Sequence, residues 1–388
     1  MKYKLIFIFA LTLLLFHCNS SRDTVNLKGV EIVENKEIPS NPNLTLKFEK
    51  DLEITNDSWF DVYFTVDGEG NIYFVDIQKK EIIFYKYSKE GKLLLKKSFP
   101  RGQGPDEIFN PTPPVCSKDG RIRTFDKLNK RIVFLNKNFE IEKLAKTNNQ
   151  HFMQIYLDSQ NNIYAYELKP TFKGILMTFE RLSSDLKKDE IKYFEYTINS
   201  KRKDEKGVSI IRPYDSFPIV RIDNSDNIWY AKSDKYEIYK VSPKGKILKK
   251  ILKDEPSQPF KISEERIKKL ELLLFPVKVP FKYKFEFPKD QLKICNFFIL
   301  ENNFLLVLTY KYDDGNHNTI LADLFDEKGI FVSTVEVPPY FSPYISDPGF
   351  FKSNAQALYR RNCFYTITMD EDSEKFTLER YRISFSNM

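Results

Sequence analysis

The 388 residues are 41% hydrophobic, 30% charged and 15% aromatic, a composition that excludes disordered and collagen-like chains. The net charge of +7 comes from 61 basic and 54 acidic residues of interspersed sign. Nucleic-acid binding needs a clustered basic face. The nearest candidate, Lys201-Arg202-Lys203-Asp204-Glu205-Lys206, carries its own acids and reads as an exposed loop.

The chain opens on Lys2 and Lys4, then an unbroken apolar stretch from Leu5 to Phe16, then His17 and Cys18. A bilayer span needs about 20 apolar residues, so this stretch has the length of a secretory signal core and not of a membrane helix. Residues 1–17 are read as a lipoprotein signal and Cys18 as the lipidated first residue of the mature chain. Leu15 suits such a site, whereas Phe16 and His17 are bulky for it. The competing readings are an uncleaved anchor and an ordinary secretory signal ending nearby. Residues 18–40 form a tether, its first part polar, and 41–388 the folded domain.

Three cysteines then remain in the mature chain, Cys116, Cys295 and Cys363. They are odd in number and have no CxxC spacing, so buried free thiols are expected and neither a disulfide framework nor a zinc site is implied. Only His151 and His317 survive export, which leaves no multi-histidine metal centre.

After a strand-like stretch at Leu44-Thr45-Leu46-Lys47-Phe48 comes Val66-Asp67-Gly68-Glu69-Gly70-Asn71-Ile72-Tyr73-Phe74. It recurs around Asp158-Ser159-Gln160-Asn161-Asn162-Ile163-Tyr164 and Asp223-Asn224-Ser225-Asp226-Asn227-Ile228-Trp229. A weaker copy lies at Ser117-Lys118-Asp119-Gly120-Arg121-Ile122, with degenerate ones before Phe304 and Cys363. Asp, Gly and Asn tolerate positive φ and close local hydrogen bonds, while Ile, Tyr and Trp favour the strand that follows, so each copy reads as a hairpin. A second hairpin follows several copies, at Ser88-Lys89-Glu90-Gly91, Ser242-Pro243-Lys244-Gly245 and Asp326-Glu327-Lys328-Gly329. Six four-stranded units, beginning their second strands near Ile72, Ile122, Ile163, Ile228, Phe304 and Cys363, predict an all-β, six-bladed β-propeller. The stretch at 44–48 would supply the last blade's outer strand and close the ring. Long insertions are expected at 166–215 and 252–292, the second with a capped amphipathic helix near 263–274.

Between the first two units stands Arg101-Gly102-Gln103-Gly104-Pro105-Asp106-Glu107-Ile108. Its plain reading is an inter-blade turn, with positive φ for the glycines and a bend fixed by proline. Its ligand-binding reading is an anion nest of successive amides, contributed by Gly102, Gly104, Pro105 and Glu107. With Gly68-Glu69-Gly70-Asn71-Ile72-Tyr73-Phe74-Val75-Asp76 and Lys89-Glu90-Gly91-Lys92, this loop resembles the bacterial six-bladed β-propeller lipoproteins related to NHL-repeat proteins. In that family a Gly-x-Gly-Pro-Gly-Glu-Phe loop joins the first two blades; here Asp106 and Ile108 replace the usual Gly and Phe. The resemblance is clear over residues 60–250 and faint beyond.

The resemblance implies a fold and an envelope location, not a reaction. The first expectation is a non-catalytic binding or scaffolding module, monomeric, held to the membrane by its lipid. It would recognise a glycan, peptide or envelope protein through its loops, with no cofactor, no catalytic residue, no metal ligand and no nucleic-acid partner. The alternatives are a calcium-dependent propeller enzyme of lactonase-like or lyase-like type, and an envelope assembly or sensor accessory. Calcium would need converging acids, and Asp67, Asp158 and Asp223 are already accounted for by turns.

Overall fold

The computed structural model describes residues 29–56, 59, 61–147, 152–171, 174–183, 186, 188–199, 204–212, 216–264, 267–268, 270–271, 282–313, 316–338, 357–369 and 375–387. Cys18, His151 and the remainder of the helical segment near 263–274 lie outside them, as does the His317 side chain. From Glu31 onward the chain forms one compact unit, an all-β six-bladed propeller of four-stranded antiparallel blades.

Blade 1 consists of Val62–Val66, Ile72–Ile77, Glu81–Tyr87 and Leu93–Pro100, and blade 2 of Val115–Cys116, Ile122–Asp126, Arg131–Leu135 and Ile141–Lys146. Blade 3 contains Phe152–Leu157, Ile163–Thr171, Gly174–Leu182 and Lys188–Asn199; blade 4 contains Pro218–Ile222, Ile228–Lys232, Glu237–Val241 and Ile247–Lys253. Blade 5 contains Ile294–Ile299, Leu305–Asp313, Asn316–Phe325 and Phe331–Val337. Blade 6 takes Ala357–Arg360, Cys363–Met369 and Phe376–Asn387, and its outer strand is Leu44–Asn56 from the start of the domain. That strand pairs antiparallel with the last one from Leu44 opposite Asn387 to Asn56 opposite Phe376. First and last segments thus share a sheet, and the ring has no open seam there.

Local chemistry repeats six times. The turn between first and second strands places its fourth residue at positive φ in every blade: Gly70, Gly120, Asn161, Asp226, Asn303 and Asn362. These residue types enter the left-handed region at least cost. The third-to-fourth-strand turns use Gly91, Gly245 and Gly329 likewise, but Phe139 and Leu186 in blades 2 and 3. Both latter side chains are buried between blades, which offsets the strain of a bulky residue at positive φ. At Gly329, by contrast, a Cβ would lie 2.8 Å from Ile251 of blade 4.

The core is not one mass but six apolar clusters, each between two adjacent blades, including one between blades 6 and 1. Aromatic rings fill these wedges, as where Trp59 meets Phe74 at 4.4 Å and Tyr164 meets Phe179 at 5.9 Å.

Two features depart from expectation. The first part of the expected insertion at 166–215 instead holds the long second, third and fourth strands of blade 3, Ile163–Thr171, Gly174–Leu182 and Lys188–Asn199. Glu31–Asn35 adds a fifth strand to blade 4, parallel to Ile247–Lys253, which caps an edge that the hairpin pattern alone leaves open.

The closing blade is also tied by charge. Asp51 on the outer strand accepts from Arg380 Nε at 2.8 Å and pairs with Arg382 at 2.5 Å. Burial alone would lift its carboxyl, but the two arginines together hold it below the usual carboxylate range. A depressed folded-state pKa means that this contribution is present above the unfolded-state value and is lost as pH falls through the folded-state value. Asp51→Asn should therefore lower the melting temperature at pH 7 and leave it unchanged at the acid end of the carboxylate range. A deficit that persists there would assign the effect to packing.

Candidate functional site

An alternating up-and-down blade sorts its connections. Turns between strands 1–2 and 3–4 lie at one end of the ring, which we call the turn end. Strand 2–3 turns and the connections from each fourth strand to the next blade's first strand lie at the other, the loop end, while the first strands border the channel.

At the turn end the repeated Asp is fully engaged. Asp67 Oδ1 accepts from the amides of Glu69 and Asn71, and its Oδ2 from Asn71 Nδ2 and from Tyr73 OH at 2.9 Å. Asp158 repeats the set with Gln160, Asn162 and Tyr164 OH, and Asp223 with Ser225, Asn227 and Trp229 Nε1 at 2.9 Å. The motif Asp-x-x-x-Asn-Ile-Tyr/Trp is thus a hydrogen-bonding device: one carboxylate satisfies the turn amides and anchors a buried ring polar atom. In blade 2, Ser117 takes the Asp position; its hydroxyl and Arg121 hold Asp119 down to a pKa of about 2.

At the loop end, residues 102–107 join blade 1 to blade 2, and the structure shows why their sequence is particular. Glu107 folds back so that its Oε2 accepts the Gly104 amide at 2.7 Å, and a Cβ on Gly102 would lie 2.0 Å from that oxygen. Arg131 of blade 2 donates to the carbonyls of Gly104 at 3.1 Å and Glu107 at 2.5 Å, and Asn129 to that of Gly102 at 2.8 Å. Ile108 is fully buried in the wedge between blades 1 and 2. Pro105 and Asp106 stay exposed at the bend. The Gly104 amide that a nest would offer an anion is thus occupied by the chain's own carboxylate. Gly102→Ala should force Glu107 out of this position and lower thermal stability, while Gly102→Ala with Glu107→Ala should recover part of the loss; equal melting temperatures for wild type and Gly102→Ala would refute the clasp.

The same end is fastened by carboxylates at the close of second strands. Asp76 accepts the Asp61 amide, and Asp126 accepts those of Phe109 and Asn110 while lying 3.5 Å from Arg131. In blade 4 Ser233 serves instead, accepting the Phe217 amide at 2.9 Å.

The insertions following blades 3 and 4 come together. Ser209–Ile211 pairs in parallel with Tyr283–Phe285, forming a small sheet outside the blades. Arg212 pairs with Glu286 and Lys284 with Asp204 across it. Half-buried rings form a chain along it: Tyr283 to Phe285 at 5.7 Å, Phe285 to Phe287 at 6.0 Å, and Phe287 stacked on Phe260 at 5.7 Å. Glu264, Ile267, Lys268, Leu270 and Glu271 are helical, with Leu270 buried.

Along the channel, Arg221 of blade 4 donates to Asn296 of blade 5 at 2.5 Å and covers the Phe298 ring. Met153 is 47% exposed on the first strand of blade 3. Among the described residues no three His, Cys, Asp or Glu side chains converge as metal ligands would.

Sequence reasoning missed one cluster. Between blades 4 and 5, Lys253 Nζ lies 2.6 Å from Asp323 Oδ2, with side chains 3% and 2% exposed. Tyr236 OH donates to the same oxygen at 2.6 Å, Thr334 to the other at 3.0 Å, and Lys253 sits 4.0 Å from the centre of the Phe331 ring. Burial, with Asp323 adding to it, pushes the Tyr236 hydroxyl well above its ordinary range.

Cys116 and Cys295 are buried and Cys363 half-buried, and none of the three forms a disulfide. Burial raises the Cys116 and Cys363 thiols, which makes them poor nucleophiles. With Cys18 replaced by serine, a disulfide-exchange reagent should titrate at most Cys363 in the native protein and all three after unfolding; rapid native reaction of two or more would contradict the packing.

No protein-family model matches the chain, and no curated protein does. Among solved structures, a member of the DUF4221 family from Bacteroides vulgatus is similar at 8% identity, over 88% of this chain and 99% of that one, with a TM-score of 0.51. The fold is that of the bacterial six-bladed propellers. A Bacteroides fragilis protein assigned as exported is similar at 13% identity, over 91% and 99% of the two chains, with a TM-score of 0.47. Virginiamycin B lyase from Staphylococcus aureus is similar at 13% identity, over 87% and 99%, with a TM-score of 0.40. At these identities the likeness is one of architecture.

Proposed function

We propose that this propeller is a lipid-anchored envelope protein, held through Cys18, that works as a non-catalytic binding and scaffolding module. Its recognition surface is the loop end, and its partner a glycan, peptide or envelope protein. The observation that supports this reading most is the joining of two insertions, separate in sequence, into one parallel ladder carrying the rings of Tyr283, Phe285, Phe287 and Phe260. A rigid ring that supports a partly exposed aromatic plate built from loops is the arrangement recognition surfaces use, because loops tolerate change while the scaffold stays constant. Ring faces stack on sugars and on apolar peptide side chains, and the flanking charges of Lys284 and Glu286 supply polar contacts.

The test is capture from envelope extracts by the whole mature chain, with Phe260→Ala and Phe287→Ala as comparison. Loss of a central aromatic contact weakens binding by about 2 kcal/mol, or roughly thirtyfold. Undiminished capture by both variants would move the surface elsewhere, and metal-dependent turnover of a captured molecule would replace binding by catalysis. Anchoring is tested separately by the mass of the membrane-extracted protein, with Cys18→Ser as control.

A further inference from the structure

We infer that the turn end of the ring, in the sector of blades 4 to 6 and reaching blade 1, rests on the lipid surface that holds the anchor, so that the loop end faces away from it. The inference rests on the reading of Cys18 as the lipidated residue. Its structural basis is where the folded domain begins. Glu31 opens the strand added to blade 4, and Lys249 Nζ ties its carboxylate, at 3.3 Å, to the carbonyl of Lys328 in the blade 5 turn, at 2.8 Å. Asn35 then bonds Gly329 and Phe331 of that turn, Ser40 and Asn41 bond Phe331 and Val332, and Leu44 starts opposite Asn387. The segment from Glu31 to Leu44 therefore follows the turn-end rim of blades 5 and 6.

The length of chain between Cys18 and Glu31 limits how far this rim stands from the bilayer. Thirteen steps reach about 45 Å fully extended and about 20 Å as a flexible coil. The rim also carries what a lipid interface takes up. Ile32, Ile330 and Phe385 are 45%, 39% and 37% exposed, and Phe385 packs on Phe304 at 5.1 Å. Leu93 and Leu94, 47% and 50% exposed, extend the display into blade 1. Charges of both signs stand among these residues, with Lys328 and Arg361 beside Glu327 and Glu301. The contact is therefore apolar and does not require anionic lipid.

The test uses the lipidated protein in phosphatidylcholine vesicles containing a headgroup nitroxide quencher. In a Cys363→Ser background, a fluorophore on Lys328→Cys reports the turn end and one on Glu205→Cys the loop end. Quenching confined to the Lys328→Cys label, unchanged by high salt, is expected; equal quenching of both, or the reverse, overturns the inference. Ile330→Glu with Phe385→Glu should abolish the Lys328→Cys quenching and weaken vesicle binding of the unlipidated mature chain about tenfold. If both are unaffected, the apolar rim is not the contact. Absence of acyl mass on Cys18 would remove the anchor reading alone, because the same labels can be read on the mature chain carrying Cys18→Ser and held to nickel-chelating vesicles by a histidine tag at its first residue.

Discussion

Lys253→Met is expected to destabilise the propeller by about 3–5 kcal/mol, because it leaves the Asp323 carboxylate buried without its counter-charge. Among the described residues, Asp323 would retain the Tyr236 and Thr334 hydroxyls as donors. The pair lies where blades 4 and 5 meet, against Tyr236 and Phe331 of the cluster that contains Trp229. Urea unfolding followed by tryptophan emission is therefore a direct measurement, with Trp59 between blades 6 and 1 as the remote probe. The control is Lys253→Met with Asp323→Leu. Replacing a buried pair by apolar side chains is often close to neutral, so the double variant should recover part of the loss, the remainder coming from Glu255, whose buried carboxylate also lies 3.8 Å from Lys253. A cost for Lys253→Met no larger than that of an exposed lysine would show that the cluster does not hold the two blades together.

The same residues explain why part of the molecule was legible in the sequence and part was not. The blade turns announce themselves because their chemistry is local. An Asp, a residue at positive φ three positions on, then an Asn and an Ile-aromatic pair all act within seven residues. The second strands begin at Ile72, Ile122, Ile163, Ile228 and Cys363, and at Leu305 just after Phe304, so even the degenerate copies kept register. Lys253, however, stands in the run Lys249-Lys250-Ile251-Leu252-Lys253-Asp254, where nothing separates it from solvent-facing lysines. Its partner is 70 residues away, brought near only by the packing of one blade on the next. The parallel pairing of Ser209–Ile211 with Tyr283–Phe285 was hidden for a related reason: Tyr283-Lys284-Phe285-Glu286-Phe287 alternates as a strand does, but the three residues Ser209–Ile211 carry no periodic signal that names them as its partner. The loop at 102–107 was legible as a turn, but the hold of Arg131 on it depends on a strand 24 residues downstream of Glu107. The repeats supplied the architecture and the resemblance agreed with it, whereas the candidate binding surface lies in the insertions, the second of which falls beyond residue 250, where that resemblance fades.

Asp67→Ala should be the second costly substitution, at about 3–4 kcal/mol, and it tests whether the repeat is a folding device or a ligand site. The carboxylate is 2% exposed and satisfies two amides, the Asn71 side chain and the Tyr73 hydroxyl. Hydrogen bonds to a charged group contribute about 1.5–3 kcal/mol each and are not additive when they share one acceptor. Tyr73 is buried in the wedge between blades 1 and 2, so its stranded hydroxyl carries the damage from the turn into the interface. Asp223→Ala should follow closely, since Trp229 occupies the equivalent place between blades 4 and 5. Asp158→Ala should cost less, because its bond from Tyr164 is longer, at 3.2 Å. Tyr73→Phe in the Asp67→Ala background separates the two contributions: removing the stranded hydroxyl should recover about 1–2 kcal/mol. If Asp67→Ala instead leaves urea unfolding unchanged while abolishing capture of an envelope partner, the aspartates serve recognition and the binding surface belongs at the turn end.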